Sequence, residues 1–193
     1  TGASHWIWMD GAADVNCYLQ FLTEFQPDGT LPLTLYLSAE GQYAVFLDGN
    51  YLPSTQYPDF PHRKSVQTVE IPAKTGECHT LEIQVWYSGA DTSVTRREQP
   101  GLRFELRQGE RVLACSRMGT KVRPLAGYRS GAIANITGQL GVGFEWKDLP
   151  TEPWQSAVTV EKPCNLVPRP IPELTVRGMQ PARLYSQGVF EAH

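Results

Sequence analysis

In the stretch HTLEIQVWYSG, His79 to Gly89, apolar Leu81, Ile83, Val85 and Tyr87 alternate with Glu82, Gln84 and Trp86. A period of two is the repeat of a β-strand, whose successive side chains point to opposite faces. The same beat returns along the chain. CYLQFLTEF (Cys17 to Phe25) alternates, and LPLTLYLSAE (Leu31 to Glu40) puts Leu33, Leu35 and Leu37 on one face. In GQYAVFLDGNYLP (Gly41 to Pro53), Tyr43, Val45 and Leu47 face one way and Ala44 and Phe46 the other. KSVQTVEIP (Lys64 to Pro72) sets Val66, Thr68 and Glu70 against Gln67, Val69 and Ile71. Asp48-Gly49 marks a tight reversal, and GLRFELRQGERVLACS (Gly101 to Ser116) is a second hairpin turning at Gln108-Gly109. No window sustains apolar residues at i, i+3, i+4 and i+7 over three turns, so helices are expected to be short or absent. The spacing predicts an all-β chain folded as an antiparallel sandwich.

Composition closes off several functions. The 193 residues allow one sizeable domain, or one domain plus a fragment, and 41% hydrophobic against 19% charged residues supports a buried core. The net charge is -3, and the basic clusters HRK (His62 to Lys64) and TRR (Thr95 to Arg97) are short, so no nucleic-acid partner is expected. No apolar run approaches the ~20 residues that span a bilayer, so no membrane partner is expected either. TGASHWIWMDG at the N-terminus lacks a basic region followed by an apolar core. Cys17, Cys78, Cys115 and Cys164 are scattered, with no CxxC pair and no zinc spacing. Thiols of this kind suit a reducing compartment, and the cytoplasm is the expected location.

One boundary is visible. EKPCNLVPRPIPELTVRGMQPARLY carries Pro163, Pro168, Pro170, Pro172 and Pro181. Such a segment is extended and cannot supply a central strand. The expected organisation is a β-sandwich over residues 1–162, a Pro-rich connector over 163–181, and the start of a following domain over 182–193.

The chemistry-bearing motifs of hydrolases are missing. No Gly-x-Ser-x-Gly elbow, no H-E-x-x-H and no phosphate loop occurs, and GQLGVG (Gly138 to Gly143) does not lead from a strand into a helix. Acids such as Asp59, Asp91, Glu98 and Glu145 are present, but nothing pairs them across a cleft. No catalytic residue, metal set or cofactor is therefore assigned. Asp48, Asp59 and Asp91 could supply loop oxygens to a calcium ion, although no Asp-x-Asp-x-Asp pattern appears.

Aromatics are the more informative group. Trp6, Trp8, Trp86, Trp146 and Trp154 accompany Tyr57 and Phe60 in QYPDFPHRK. Sugar rings stack their CH faces on Trp and Tyr, while their hydroxyls want Asp, Arg or Asn nearby. The loop from Tyr57 to Arg63 offers both, and Trp86 and Tyr87 leading to Asp91 offer more. Tyr57, Asp59, Arg63, Trp86 and Asp91 are the candidate carbohydrate-binding residues. Each Trp has the alternative of filling the sandwich core.

The ordered series GQYAVFLDGNYLPSTQYPDFPHRKSVQTVEI, HTLEIQVWYSGADTS, PGLRFELRQGERVLACS, YRSGAIANITGQLGVGFEW, EPWQSA and RPIPEL spans nearly all of Ser4 to Leu174. It resembles the N-terminal β-sandwich module of bacterial α-L-rhamnosidase-like glycoside hydrolases. Asp48 stands where that family usually has Asn, and Arg63 where it commonly has an aromatic. The resemblance implies a jelly-roll-type fold related to carbohydrate-binding modules. It also implies a parent chain continuing into further β-domains and an (α/α) barrel that carries the catalytic carboxylates. The function it implies is a non-catalytic accessory domain that binds carbohydrate weakly. The alternative is a structural spacer packed on the parent's catalytic domain through an exposed patch of Trp6, Trp146 and Trp154.

Overall fold

A computed structural model describes residues 4–91, 96–125, 128–134, 140–146 and 152–172, with backbone alone for 128–134 and 140–146. Among these residues there is no helix, and the chain is all-β. The alternating segments become β1 (Ile7–Trp8), β2 (Cys17–Phe25), β3 (Leu33–Ala39), β4 (Gln42–Leu47), β5 (Asn50–Leu52), β6 (Arg63–Glu70) and β7 (His79–Tyr87). They continue as β8 (Leu102–Gln108), β9 (Arg111–Cys115), β10 (Lys121–Pro124), β11 (Tyr128–Ala134) and β12 (Leu140–Trp146). The short strands β13 (Gln155–Ser156), β14 (Val158–Thr159) and β15 (Asn165–Pro168) follow.

Two sheets form the sandwich. The first runs β14-β1-β8-β3-β6-β15, with β9 also on β8, and the second runs β13-β10-β2-β7-β4-β5. β11 and β12 pair as a separate hairpin. The period-two pattern explains the core: Leu35 and Leu37 of β3, Leu81, Ile83 and Val85 of β7, and Leu102, Phe104 and Leu106 of β8 are all at most 2% exposed. Each such side chain contributes roughly 1.5–3 kcal/mol by leaving water. Trp8 joins this core, tilted against Phe21 and edge-on to Tyr87.

The turn at Asp48-Gly49 stands as expected. Leu47 pairs with Asn50, and both turn residues take positive φ, 49° and 78°, as a two-residue hairpin of matching twist requires. The second hairpin turns one residue later than Gln108-Gly109. Gln108 pairs with Arg111, so the loop is Gly109-Glu110, with Gly109 at φ 59°. A register shift between Leu106 and Arg107 accompanies it.

Among the described residues pairing is antiparallel except at one place. β15, inside the Pro-rich segment, lies parallel to β6, with Asn165 opposite Arg63 and Pro168 opposite Val66. Asn165 N donates to His62 O at 2.9 Å and Arg169 N to Val66 O at 3.2 Å. Pro168 is accommodated because β15 is the outermost strand among the described residues. Residues 173–193, with the expected start of a following domain, lie outside the described residues.

Candidate functional site

The loop from Ser54 to His62 connects β5 in the second sheet to β6 in the first. Beside it opens a cleft of about 410 Å³. Tyr57 to Pro61 form one wall, Gly41, Gln42, Ser88 and Gly89 another, and Glu40 and Lys64 also line it. Two glycines make the second wall possible. A Cβ on Gly41, at φ 112°, would sit 2.0 Å from the Trp86 carbonyl oxygen, and one on Gly89, at φ 65°, 2.9 Å from that of Asp14.

Asp59 anchors the loop. Its Oδ2 accepts from Ser65 N at 2.6 Å, Ser65 Oγ at 2.9 Å and Gln56 Nε2 at 3.0 Å, while Lys64 Nζ donates to Oδ1 at 2.5 Å. Lys64, its side chain 4% exposed, also lies 3.4 Å from Glu40 Oε2, and Lys162 Nζ approaches the same oxygen at 2.7 Å. Two lysines against two carboxylates leave this cluster neutral, the condition under which such charges can be buried. Gln56 ties the loop to β3, its Oε1 accepting from Ala39 N at 3.0 Å. Arg169, just past β15, donates to Thr55 O and to Gln67 Oε1, and its guanidinium lies 5.5 Å from the centre of the Tyr57 ring. Burial pushes the Tyr87 hydroxyl up, and that hydroxyl donates to Glu98 O at 2.6 Å behind the cleft.

Of the five residues singled out in the sequence, the cleft brings together Tyr57 and Asp59. Tyr57 is half-buried with its ring at the wall, and Phe60 beside it is 68% exposed. Asp59 meets four donors inside the protein and acts as the loop's anchor. Arg63 is exposed at the start of β6 and is not among the lining residues, since its neighbour Lys64 takes the inward position. Trp86 lies on the outer face of the second sheet, stacked on Tyr18 at 6.2 Å, and its Nε1 donates to Asn16 Oδ1 at 3.1 Å. Asp91 accepts from Arg97 N at 2.9 Å and is not among the lining residues.

Arg96, at the rim, and the Glu40–Lys162 pair escaped sequence reasoning. No local pattern links positions so far apart. Asp48, Asp59 and Asp91 are each engaged with different partners, His79, Lys64 and Arg97, which speaks against a shared calcium ion. Among the described residues no group of three or more His, Cys, Asp or Glu could hold a metal.

The expected exposed tryptophan patch does not form among the described side chains. Trp6 is 6% exposed, with Lys162 Nζ 5.8 Å from its ring, and Trp154 is half-buried beneath Arg123 at 4.1 Å. The Trp146 side chain lies outside the described residues. No disulfide joins the four cysteines. Burial pushes the Cys17 thiol up to about 11, with Asp14 adding to it, so this thiol is inert at neutral pH.

No family model matches the chain, and no curated protein matches it. Solved structures do match. A GH78 family rhamnosidase of Bacillus sp. GL1 superposes with a TM-score of 0.74 at 22% identity, over 88% of this chain and 20% of its own. A native α-L-rhamnosidase from Aspergillus terreus gives 0.60 at 16% identity, over 83% of this chain and 21% of its own. The apo form of a lectin from Pleurotus ostreatus gives 0.51 at 12% identity, over 82% of this chain and 41% of its own. The chain thus has the fold of a rhamnosidase-type β-sandwich domain and spans about a fifth of the length of the rhamnosidases it matches.

Proposed function

We propose that this chain is a non-catalytic accessory β-sandwich domain of an α-L-rhamnosidase-like glycoside hydrolase, and that it binds carbohydrate weakly at the Tyr57 cleft. The observation that carries the reading is the match over 88% of this chain but only 20% of the Bacillus rhamnosidase. A unit that accounts for a fifth of an enzyme is the size of an accessory domain. The likeness to a lectin supports a sandwich able to carry a sugar site.

In the cleft, Tyr57 stacks on the apolar face of a sugar ring, with Phe60 beside it. Backbone groups at Gly41 and Gly89, the Gln42 amide and Arg96 meet ring hydroxyls. Asp59 acts by holding the loop in place. Arg63, Trp86 and Asp91 meet only outlying units of a longer oligosaccharide.

Titration calorimetry of this chain with L-rhamnose and rhamnose-containing oligosaccharides tests the reading. The expected result is millimolar binding, lost in Tyr57→Ala. A flat trace at millimolar sugar would remove the binding half and leave a structural spacer in its place. Turnover of a nitrophenyl α-L-rhamnoside by this chain would remove the non-catalytic half.

A further inference from the structure

The alternation that sends Leu35 and Leu37 into the core turns Tyr36 and Ser38 to the outer face of the first sheet. Register sets Tyr36 opposite Glu105 on β8 and Thr68 on β6, and Ser38 opposite Arg103. A cavity of about 310 Å³ opens there, with Ser4, Tyr36, Ser38, Arg103, Glu105 and Leu166 in its lining. It shares no lining residue with the Tyr57 cleft.

Two independent features point to a ligand. Ser38 is 1% exposed, and its hydroxyl has no hydrogen-bond partner among the described residues. A buried hydroxyl in that condition is unfavourable, and a ligand acceptor in the cavity relieves it. Tyr36 is 40% exposed, an aromatic ring left uncovered at the same spot. Charge then narrows the ligand. Arg107 Nε and Nη2 both bond Glu105 Oε1, so within the cavity these two charges cancel and Oε2 stays open as an acceptor. Among the described residues Arg103 has only Ser4 Oγ, bonded to its Nε at 3.1 Å, and no carboxylate. The cavity therefore holds an uncompensated guanidinium beside an unpartnered hydroxyl donor. A carboxylate answers both, since guanidinium and hydroxyl donors bond it more strongly than they bond a neutral oxygen. The volume is at the lower end for small-molecule sites, about 300–1,000 Å³, and suits a single ring.

We propose that this groove binds a pyranose ring bearing a carboxylate, a uronic-acid unit. Arg103 and Ser38 hold the carboxylate, Tyr36 carries the apolar face of the ring, and Glu105 Oε2 accepts from a ring hydroxyl. This rests on the reading of the chain as a carbohydrate-binding accessory domain and gives it a second site with its own ligand class.

The test is amide chemical-shift mapping of this chain with D-galacturonate and with D-galactose, which differ only at C6. Galacturonate is expected to shift the Tyr36, Ser38 and Arg103 amides, saturating at millimolar concentration, with galactose at least about tenfold weaker. Ser38→Ala removes a hydroxyl that bonds nothing in the free protein, so folding should be unaffected. That variant and Arg103→Gln should each weaken galacturonate by about tenfold and leave galactose unchanged. Equal response to the two sugars, or unaltered galacturonate binding in Ser38→Ala, overturns the inference. Shifts confined to the Tyr57 loop overturn it and leave the proposed function standing. No shift at either place overturns the inference, and calorimetry with L-rhamnose decides separately whether the Tyr57 cleft binds sugar.

Discussion

His79 shows what one side chain can dictate. Its Nδ1 lies 2.7 Å from Asp48 Oδ2 and its Nε2 2.9 Å from Lys74 O, both acceptors. Only the doubly protonated ring can donate to both. The hydrogen bond to Asp48 accordingly raises the His79 pKa above its ordinary 6.5, against the opposing effect of burial. Hydrogen bonds from Thr80 N and His79 lower the Asp48 carboxyl below 3.8. The histidine's contribution to stability is complete below 6.5 and fades as pH rises through its folded-state value, while the aspartate's is complete above 3.8 and fades as pH falls. Proton NMR should find His79 titrating above 6.5, and Asp48→Asn should bring it back down. With the Asp48 side chain 43% exposed, added salt should shrink the difference. Gly41 gives a steric counterpart. Gly41→Ala places a methyl 2.0 Å from a carbonyl oxygen at φ 112°, and should cost at least about 2 kcal/mol in urea unfolding.

At the scale of elements, the cleft loop depends on the carboxylate of Asp59. Asp59→Asn leaves Glu40 as the one carboxylate facing both Lys64, 4% exposed, and Lys162, and should destabilise the domain by about 2–4 kcal/mol. The amides of Tyr57, Asp59 and Phe60 should shift together in the same variant, a concerted loosening visible by NMR. Strands and turns were legible here because their causes are local. Leu81, Ile83 and Val85 announce β7 within five positions, and Asp48-Gly49 announces its own turn. The anchoring cluster was not legible, because Glu40, Asp59, Lys64 and Lys162 meet only after both sheets are in place. The same distance in sequence hid the fates of Arg63 and Trp86. Alternation indicates that a residue faces away from the core, but not which neighbouring strand it will then meet. The second hairpin slipped by one residue because the irregularity at Leu106 and Arg107 has no sequence mark.

For the whole molecule, the sequence patterning indicated a sandwich, and the fold bears the resemblance to rhamnosidase domains that the ordered motifs suggested. The order of strands within each sheet is set by long-range pairing and had no local signature. With no disulfide among its four cysteines, the chain should unfold at the same temperature with and without reductant in a calorimetric scan. β15 has one more consequence. Asn165 N and Arg169 N point inward to β6, so by alternation the outward-facing positions are 166, 168 and 170. Two of these are prolines, Pro168 and Pro170, which have no N–H to offer. A passing molecule finds almost no donors on this flank with which to extend the ladder. Among the described residues this sheet ends on a strand on which another cannot readily grow, and that disfavours self-association and fibre growth along this side.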